Sequence, residues 1–163
     1  GVLVLLIGTQ VLGKPDMIAW VRGHYTVTPD ASLVDTDEYA VLLQVPEIVP
    51  PEEVIAVNPW NGSSMAYALT GRKTIFTHVQ YPADPDKDVL IESLDDATTN
   101  AEVCEALGDL GVQWVLDFGN TRLINNENRA FPGFEDLEDS PGFVLRAQSG
   151  HAALYEITAC GLG

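Results

Sequence analysis

A cluster of polar and small residues follows the apolar run EVIAV, in the stretch NPWNGSSMAYALTGR at residues 58–72. A strand that leads into a helix in this way exposes backbone N–H groups, which favour a phosphate or a carboxylate. Trp60 adds a flat face that suits a sugar ring. The alternative, which we favour, is that Ser63 caps the helix and Gly62 permits the turn. The stretch lacks the spacing of a dinucleotide fingerprint or a P-loop.

Polar side chains also follow the next two apolar segments, where His78 ends KTIFTH and Asp117 lies near the end of VQWVLDF. In α/β proteins the carboxyl ends of parallel strands face the usual binding crevice. We therefore expect these positions to lie at one edge of the sheet. The candidate ligand-binding residues are Asn58, Trp60, Asn61, Gly62, Ser63, Ser64, His78 and Asp117.

The sequence predicts no catalytic residue, no metal and no cofactor. Ser63, His78 and Asp117 have the residue types of a hydrolase triad, but the GxSxG elbow of such enzymes is missing. The three histidines are not spaced as metal ligands. The acidic pattern that begins at Asp84 departs from a calcium loop at its sixth position, which is Val89.

The elements that must position these residues alternate between strands and helices. Short apolar strands are predicted at 54–57, 73–78 and 112–118, with helices between them, and this order favours parallel pairing through right-handed crossovers. GFVLRAQ and AALYEIT, separated by a short turn, read as an antiparallel hairpin. The predicted fold class is α/β, a mixed sheet with about three parallel strands joined by helices and a C-terminal antiparallel hairpin.

The first 24 residues form a separate lead-in segment in this interpretation, and residues 25–163 form a single α/β soluble domain. The run GVLVLLIG is unbroken apolar sequence but far shorter than the ~18 residues that identify a membrane span. Two interpretations stay open for this run. It is either a short buried strand or the end of a membrane helix.

The charge balance is strongly acidic, with 8 Lys plus Arg against 24 Asp plus Glu and a formal net charge of -16. This excludes a nucleic-acid partner as the expected function, because such partners are held by clustered Lys and Arg. An anionic membrane surface would repel the chain for the same reason. Acidic runs such as the one at residues 135–139 are typical of a solvated surface.

Two cysteines are present, Cys104 in a predicted helix and Cys160 after the last predicted strand. A disulfide between them would tie the C-terminal end to the body of the domain, and it would require an oxidising compartment. The alternative is a pair of buried free thiols, which is ordinary in a reduced protein. We favour the disulfide.

The stretches NPWNGSSMAYALTGRKTIF, GVQWVLDFG and AALYEITAC together resemble a known class of domain. Over roughly residues 25–160 the chain is similar to the C-terminal extracytoplasmic domain of large bacterial polytopic membrane proteins. Those proteins resemble integral-membrane glycosyltransferases that use polyprenyl-phosphate sugars, and many of them are uncharacterised. The resemblance implies that catalytic carboxylates lie in loops of the membrane part, so no catalytic residue is carried over to this chain.

Three functional hypotheses follow. The first is a non-catalytic extracytoplasmic domain of a membrane protein that assists cell-envelope glycan transfer or binds glycan. Its partners would be the membrane part of the same polypeptide and a glycan or lipid-linked sugar, at the extracytoplasmic face of the cell membrane. The second is a free-standing α/β small-molecule binding protein. The third is a small Ser hydrolase.

Overall fold

A five-stranded mixed sheet forms the centre of the computed structural model, which describes residues 26–119 and 130–161 together with Gly23. The strands are β1 (Val54–Ala56), β2 (Lys73–Thr74), β3 (Val112–Asp117), β4 (Phe143–Ser149) and β5 (Ala152–Ile157). Their order is β2-β1-β3-β5-β4. β1 pairs in parallel with β2 and β3, whereas β5 is antiparallel to both β3 and β4. The predicted fold class is therefore confirmed.

The described residues also form five α-helices and four short 3₁₀ turns, which precede, connect or follow these strands. The helices are α1 (Thr36–Leu42), α2 (Val45–Ile48), α3 (Ala66–Thr70), α4 (Pro85–Ser93) and α5 (Ala101–Leu110). The 3₁₀ turns are Gly62–Met65, Leu94–Asp96, Pro132–Phe134 and Ala159–Gly161. Among these residues no helix is both long and apolar enough to cross a bilayer. The predicted lead-in segment at residues 1–24 lies outside the described residues, apart from Gly23.

Helix α1 begins with a capping box, which the local sequence specifies directly. The Asp35 carboxylate accepts hydrogen bonds from the backbone N–H groups of Asp37 and Glu38, and Glu38 Oε2 accepts one from Asp35 N at 2.9 Å. Each side chain thus satisfies N–H groups that the helix leaves without a partner. This box fixes the start of α1 beside the β4–β5 turn, since Ser149 Oγ donates to Asp37 Oδ1 at 2.8 Å.

The second parallel strand is shorter than predicted. β2 contains only Lys73 and Thr74, although Ile75 N still donates to Ile55 O at 3.2 Å. The Thr74 hydroxyl donates to the Phe76 carbonyl oxygen at 2.9 Å. Such local bonds from a side chain to the backbone compete with the regular sheet ladder. Residues 77–82 therefore form a loop at the edge of the sheet, not a continuation of the strand.

The core lies along β3 and β5 and the two longest helices. Val115, Leu116 and Leu154 are fully buried in the sheet, and Leu90 and Leu107 are fully buried in α4 and α5. Aromatic rings extend this core towards the loop after β2. Phe76 packs edge-on against Phe131 with ring centroids 5.7 Å apart. It also packs against Tyr81, with ring centroids 4.5 Å apart.

Cys104 of α5 and Cys160 form a disulfide with Cα atoms 5.3 Å apart. The favoured pairing is thus present, and the alternative of two free thiols is wrong. Cys160 lies just after β5 and adopts a left-handed φ of 63°. The bond closes a sequence separation of 56 residues and ties the end of the described chain to α5.

Candidate functional site

The corner that follows β1, residues 58–64, is closed by its own hydrogen bonds. Asn61 caps the 3₁₀ turn, because its Oδ1 accepts from Ser63 N at 3.0 Å. Its Nδ2 donates to the carbonyl oxygen of Gly119, just beyond β3, at 2.9 Å. The sequence analysis predicted that Ser63 would be the cap, and this prediction is wrong. The side chain of Asn is long enough to cap the turn and reach the neighbouring strand at once.

Ser63 lies at the centre of this corner and is fully buried. Its Oγ accepts from Asn58 N at 3.0 Å and lies 2.6 Å from Asn61 Oδ1 and 3.1 Å from Asn58 O. The hydroxyl proton is therefore committed to one of two acceptors inside the corner. Asn58 Oδ1 in turn accepts from Trp60 N at 2.9 Å.

Gly62 is needed for a close approach and not for the turn. Its φ is not in the left-handed region, but a Cβ at this position would overlap the carboxylate of Glu38. Gly62 N donates to Glu38 Oε1 at 3.3 Å. Burial raises the pKa of Glu38 above its usual range, against the opposing effect of the hydrogen bonds from Asp35 N and Gly62 N. A carboxylate of the chain itself thus occupies the place where we expected an anionic ligand.

These contacts make the 58–64 corner mainly a strand-to-helix connection, which is the alternative that the sequence analysis favoured. The hydroxyl, amide and N–H groups described above already have partners inside the protein. Trp60 and Ser64 differ from the others because both are only half-buried. Of the predicted ligand-binding residues in this corner, Trp60 is the one with an open surface beside it.

Trp60 forms one wall of an open cleft of about 440 Å³, which we call the aromatic cleft. The lining residues are Trp60, Val79, Gln80, Tyr81, Ala83 and Asp88. The half-buried ring of Tyr81 is held in place by its contact with the buried ring of Phe76. The cleft combines two aromatic side chains with one amide and one carboxylate. That combination suits a ligand with an apolar face and hydroxyl groups at its edge.

A second cleft, of about 320 Å³, lies beside the end of β3, and we call it the acidic cleft. Its acidic lining residues are Asp117, Glu135, Asp136 and Glu138, and its other walls include Gln148, His151 and Tyr155. Burial raises the pKa of Asp117, and the negative charges of the three other carboxylates raise it further. Burial also raises the pKa of Tyr155, with Asp117 acting in the same direction.

The structure does not bring Ser63, His78 and Asp117 together as a catalytic set. His78 is exposed, and its Nδ1 accepts from Gln80 N at 3.0 Å. Asp117 accepts from Gly119 N at 2.9 Å. Within residues 26–119 and 130–161, no hydrogen bond joins any two of the three. The hydrolase hypothesis therefore gains no support from the geometry.

The sequence analysis missed several residues that line the clefts. Gln80 and Tyr81 follow β2 at the same edge of the sheet as Trp60, so the reasoning that selected His78 would also have reached them. Glu135, Asp136 and Glu138 were interpreted as solvated surface, because nothing in a linear run of acids shows that it folds back against Asp117.

The parallel strands and the two open clefts at their carboxyl ends define an α/β domain with accessible surface clefts. The chain belongs to the family of unknown function DUF6541, which matches residues 1–159. No curated protein matches the sequence significantly. Among solved structures, the chain has a similarity to the C-terminal globular domain of an oligosaccharyltransferase from Archaeoglobus fulgidus. The two share 11% identity with a TM-score of 0.49, over 76% of this chain and 98% of that chain. Similarity at that level implies no shared substrate or activity.

Proposed function

We propose that this chain is a non-catalytic, extracytoplasmic domain of a membrane protein and that it binds glycan during cell-envelope glycan transfer. The observation that carries the proposal is the aromatic cleft. It places Trp60 and Tyr81 on an open surface, with Gln80 and Asp88 among the residues beside them. The resemblance of the sequence to domains of polytopic glycosyltransferases supports the same reading.

The chemistry of the aromatic cleft fits a sugar ring better than a charged metabolite. A pyranose has an apolar face of C–H groups, which can pack on an aromatic ring, and a rim of hydroxyl groups. Gln80 can both donate and accept hydrogen bonds at that rim. None of the described residues that line the cleft is Lys or Arg, which argues against a phosphate there.

The disulfide supports an extracytoplasmic location. Cytosolic thiols are kept reduced, so a bond such as Cys104–Cys160 persists mainly in an oxidising compartment. The strongly negative chain would also stay clear of an anionic headgroup surface. In this proposal the membrane part of the same polypeptide carries the chemistry, and the domain holds glycan or lipid-linked sugar near it.

The glycan proposal is tested by following backbone amide NMR signals during titration with methyl glycosides of hexoses, pentoses and N-acetylhexosamines. We expect shifts in the 77–83 loop for at least one glycoside. Trp60→Ala should weaken that binding at least about tenfold, which corresponds to about 1.4 kcal/mol. Tyr67→Ala is the matched control, because Tyr67 is 61% exposed and is not among the lining residues of the cleft. If no glycoside shifts the loop, or if Trp60→Ala binds as the unaltered chain does, the aromatic cleft is not a glycan site.

The proposed compartment is tested separately by counting reactive thiols on denatured, unreduced protein that is alkylated at lysis. We expect none. Replacing both cysteines, by Cys104→Ser together with Cys160→Ser, should lower the free energy of unfolding by about 4 kcal/mol for a loop of this length. Two reactive thiols in freshly prepared protein would contradict the extracytoplasmic location and favour a free-standing cytoplasmic binding protein.

A further inference from the structure

Two carboxylates at the start of α1 meet a histidine from the β4–β5 turn. Asp35 Oδ2 lies 3.5 Å from His151 Nε2, and Asp37 Oδ2 lies 3.9 Å from His151 Nδ1. One potential metal-ligand atom from each of the three residues lies within 4.8 Å of the others. The sequence could not reveal this group, because the β4–β5 turn that carries His151 is far from Asp37 in the chain. Ser149 of the same turn, which donates a hydrogen bond to Asp37, is 112 positions away from it.

Each carboxylate has one oxygen anchored inside the protein. Asp35 Oδ1 accepts from the backbone N–H groups of Asp37 and Glu38 at 2.8 and 3.0 Å. Asp37 Oδ1 accepts from Ser149 Oγ at 2.8 Å. The second oxygen of each group is the one directed at His151. In protein metal sites, hydrogen bonds of this kind orient the carboxylates that ligate the ion.

The turn itself is built to let Asp37 approach. Gly150 has a left-handed φ of 51°, and a Cβ there would overlap the Asp37 carboxylate. Only glycine therefore satisfies the backbone conformation and the close contact together. This turn conformation places the next residue, His151, within 4 Å of both carboxylates.

Within the part of the chain that the structure describes, no Lys or Arg forms an ion pair with Asp35 or Asp37. Among the described residues, His151 is the only basic side chain that forms an ion pair with Asp35 or Asp37. The side chains of Asp37 and His151 are 41% and 42% exposed, whereas that of Asp35 is 14% exposed. A small cation from solvent can therefore reach the group, and it would find two carboxylates held close together.

We propose that Asp35, Asp37 and His151 form a binding site for a divalent transition metal ion, with Zn²⁺ as the best match. An imidazole nitrogen with two carboxylate oxygens suits Zn²⁺ better than Mg²⁺ or Ca²⁺, which prefer oxygen alone. Zn²⁺ binds such atoms at about 2.0–2.2 Å, so tetrahedral ligands lie about 3.4 Å apart. The separation of 3.5 Å between Asp35 Oδ2 and His151 Nε2 already fits. Asp37 Oδ2 lies 3.9 Å from the other ring nitrogen, Nδ1, so Asp37 and the exposed His151 would have to shift before one ion contacts all three residues.

The ion would take three ligands from the protein and leave one position for water, and it would clamp the β4–β5 turn to the start of α1. His151 also lines the acidic cleft, so the bound ion would lie at its rim. This site is separate from the aromatic cleft and does not depend on the proposed glycan function.

Calorimetric titration of the full chain with ZnCl₂, after removal of metal with EDTA, tests the proposal. We expect one site per chain and a rise in Tm with zinc concentration, because a ligand that binds only the folded state stabilises it. His151→Ala should weaken zinc binding by at least about tenfold, and Ser149→Ala, which frees Asp37, should weaken it less. The matched control is His78→Ala, which removes an exposed histidine elsewhere and should leave binding unchanged.

Two results would overturn the assignment. One is the absence of a zinc-dependent heat signal or Tm shift in the unaltered chain. The other is equal zinc binding by His151→Ala, which would place the ion on other residues. Parallel titrations with CaCl₂ and MgCl₂ should give clearly weaker binding, and an equal affinity for Ca²⁺ would also contradict a site built around the histidine.

Discussion

The 58–64 corner and the acidic cleft lie at the same edge of the sheet, joined by the bond from Asn61 Nδ2 to Gly119 O, yet they differ in what their polar groups do. In the corner, Ser63 and Asn61 are buried and paired with partners inside the protein. In the acidic cleft, four carboxylates line one open space, and burial together with the negative charges of the other three raises the pKa of Asp117.

This difference shows that a position at the carboxyl ends of parallel strands is not enough to make a binding site. A polar group that is already paired and buried would have to give up its partner before it could hold a ligand. The corner therefore contributes stability, whereas the two clefts keep groups available to solvent. Changes in the corner should affect folding, and changes in the clefts should affect binding or pH dependence.

The largest effect that would test this contrast is expected for Gly62→Ala. The added methyl group would displace the buried Glu38 carboxylate and break its hydrogen bond to Gly62 N. We expect the free energy of unfolding to fall by about 2–4 kcal/mol, measured by urea denaturation. Gly108→Ala is the control, because a Cβ at that position in α5 meets nothing within 4 Å. It should be neutral or stabilise by up to about 1 kcal/mol. A neutral Gly62→Ala would show that the corner is not closed as described.

Ser63→Ala should have the next largest effect. It removes the acceptor of Asn58 N and leaves a buried N–H group without a partner. We expect a loss of about 1–3 kcal/mol in the same urea experiment. The adjacent Ser64→Ala removes a half-buried hydroxyl and should change stability by less than about 0.5 kcal/mol. Equal effects of the two changes would remove the distinction between a paired and an available serine.

The smallest effect is expected in the acidic cleft, where Asp117→Asn should stabilise the protein at pH 7. Because the pKa of Asp117 is raised in the folded state, its ionised form opposes folding. The gain from the substitution should therefore shrink as the pH falls and vanish below about 3.9, where the unfolded carboxyl is also protonated. The asparagine can still accept from Gly119 N.

The comparison for Asp117→Asn is Glu105→Gln, which removes the same charge from an exposed position on α5. Urea denaturation at pH 7 and at pH 3 should show the larger gain for Asp117→Asn, and only at the higher pH. Equal gains for both substitutions at pH 7 would mean that overall charge, and not the cleft, is responsible.

Much of the architecture followed from local patterns. Short apolar segments separated by helices predicted the parallel strands, and GFVLRAQ with AALYEIT predicted the hairpin that the sheet contains. The capping box of Asp35 and Glu38 is equally local, since its partners are three residues apart. Such features depend on contacts within a few residues, and local sequence therefore determines them.

Contacts between distant segments were decided only by the tertiary structure. Glu38 became the internal partner of Gly62, Asp35 and Asp37 met His151, and the acidic run at 135–138 turned towards Asp117. None of these pairs has a spacing that periodicity can detect, because packing of the sheet and helices brings them together. The sequence alone thus determined the order and type of the elements and where ligands were worth seeking. Which polar groups are buried with partners, and which remain open to a ligand, depended on how those elements pack.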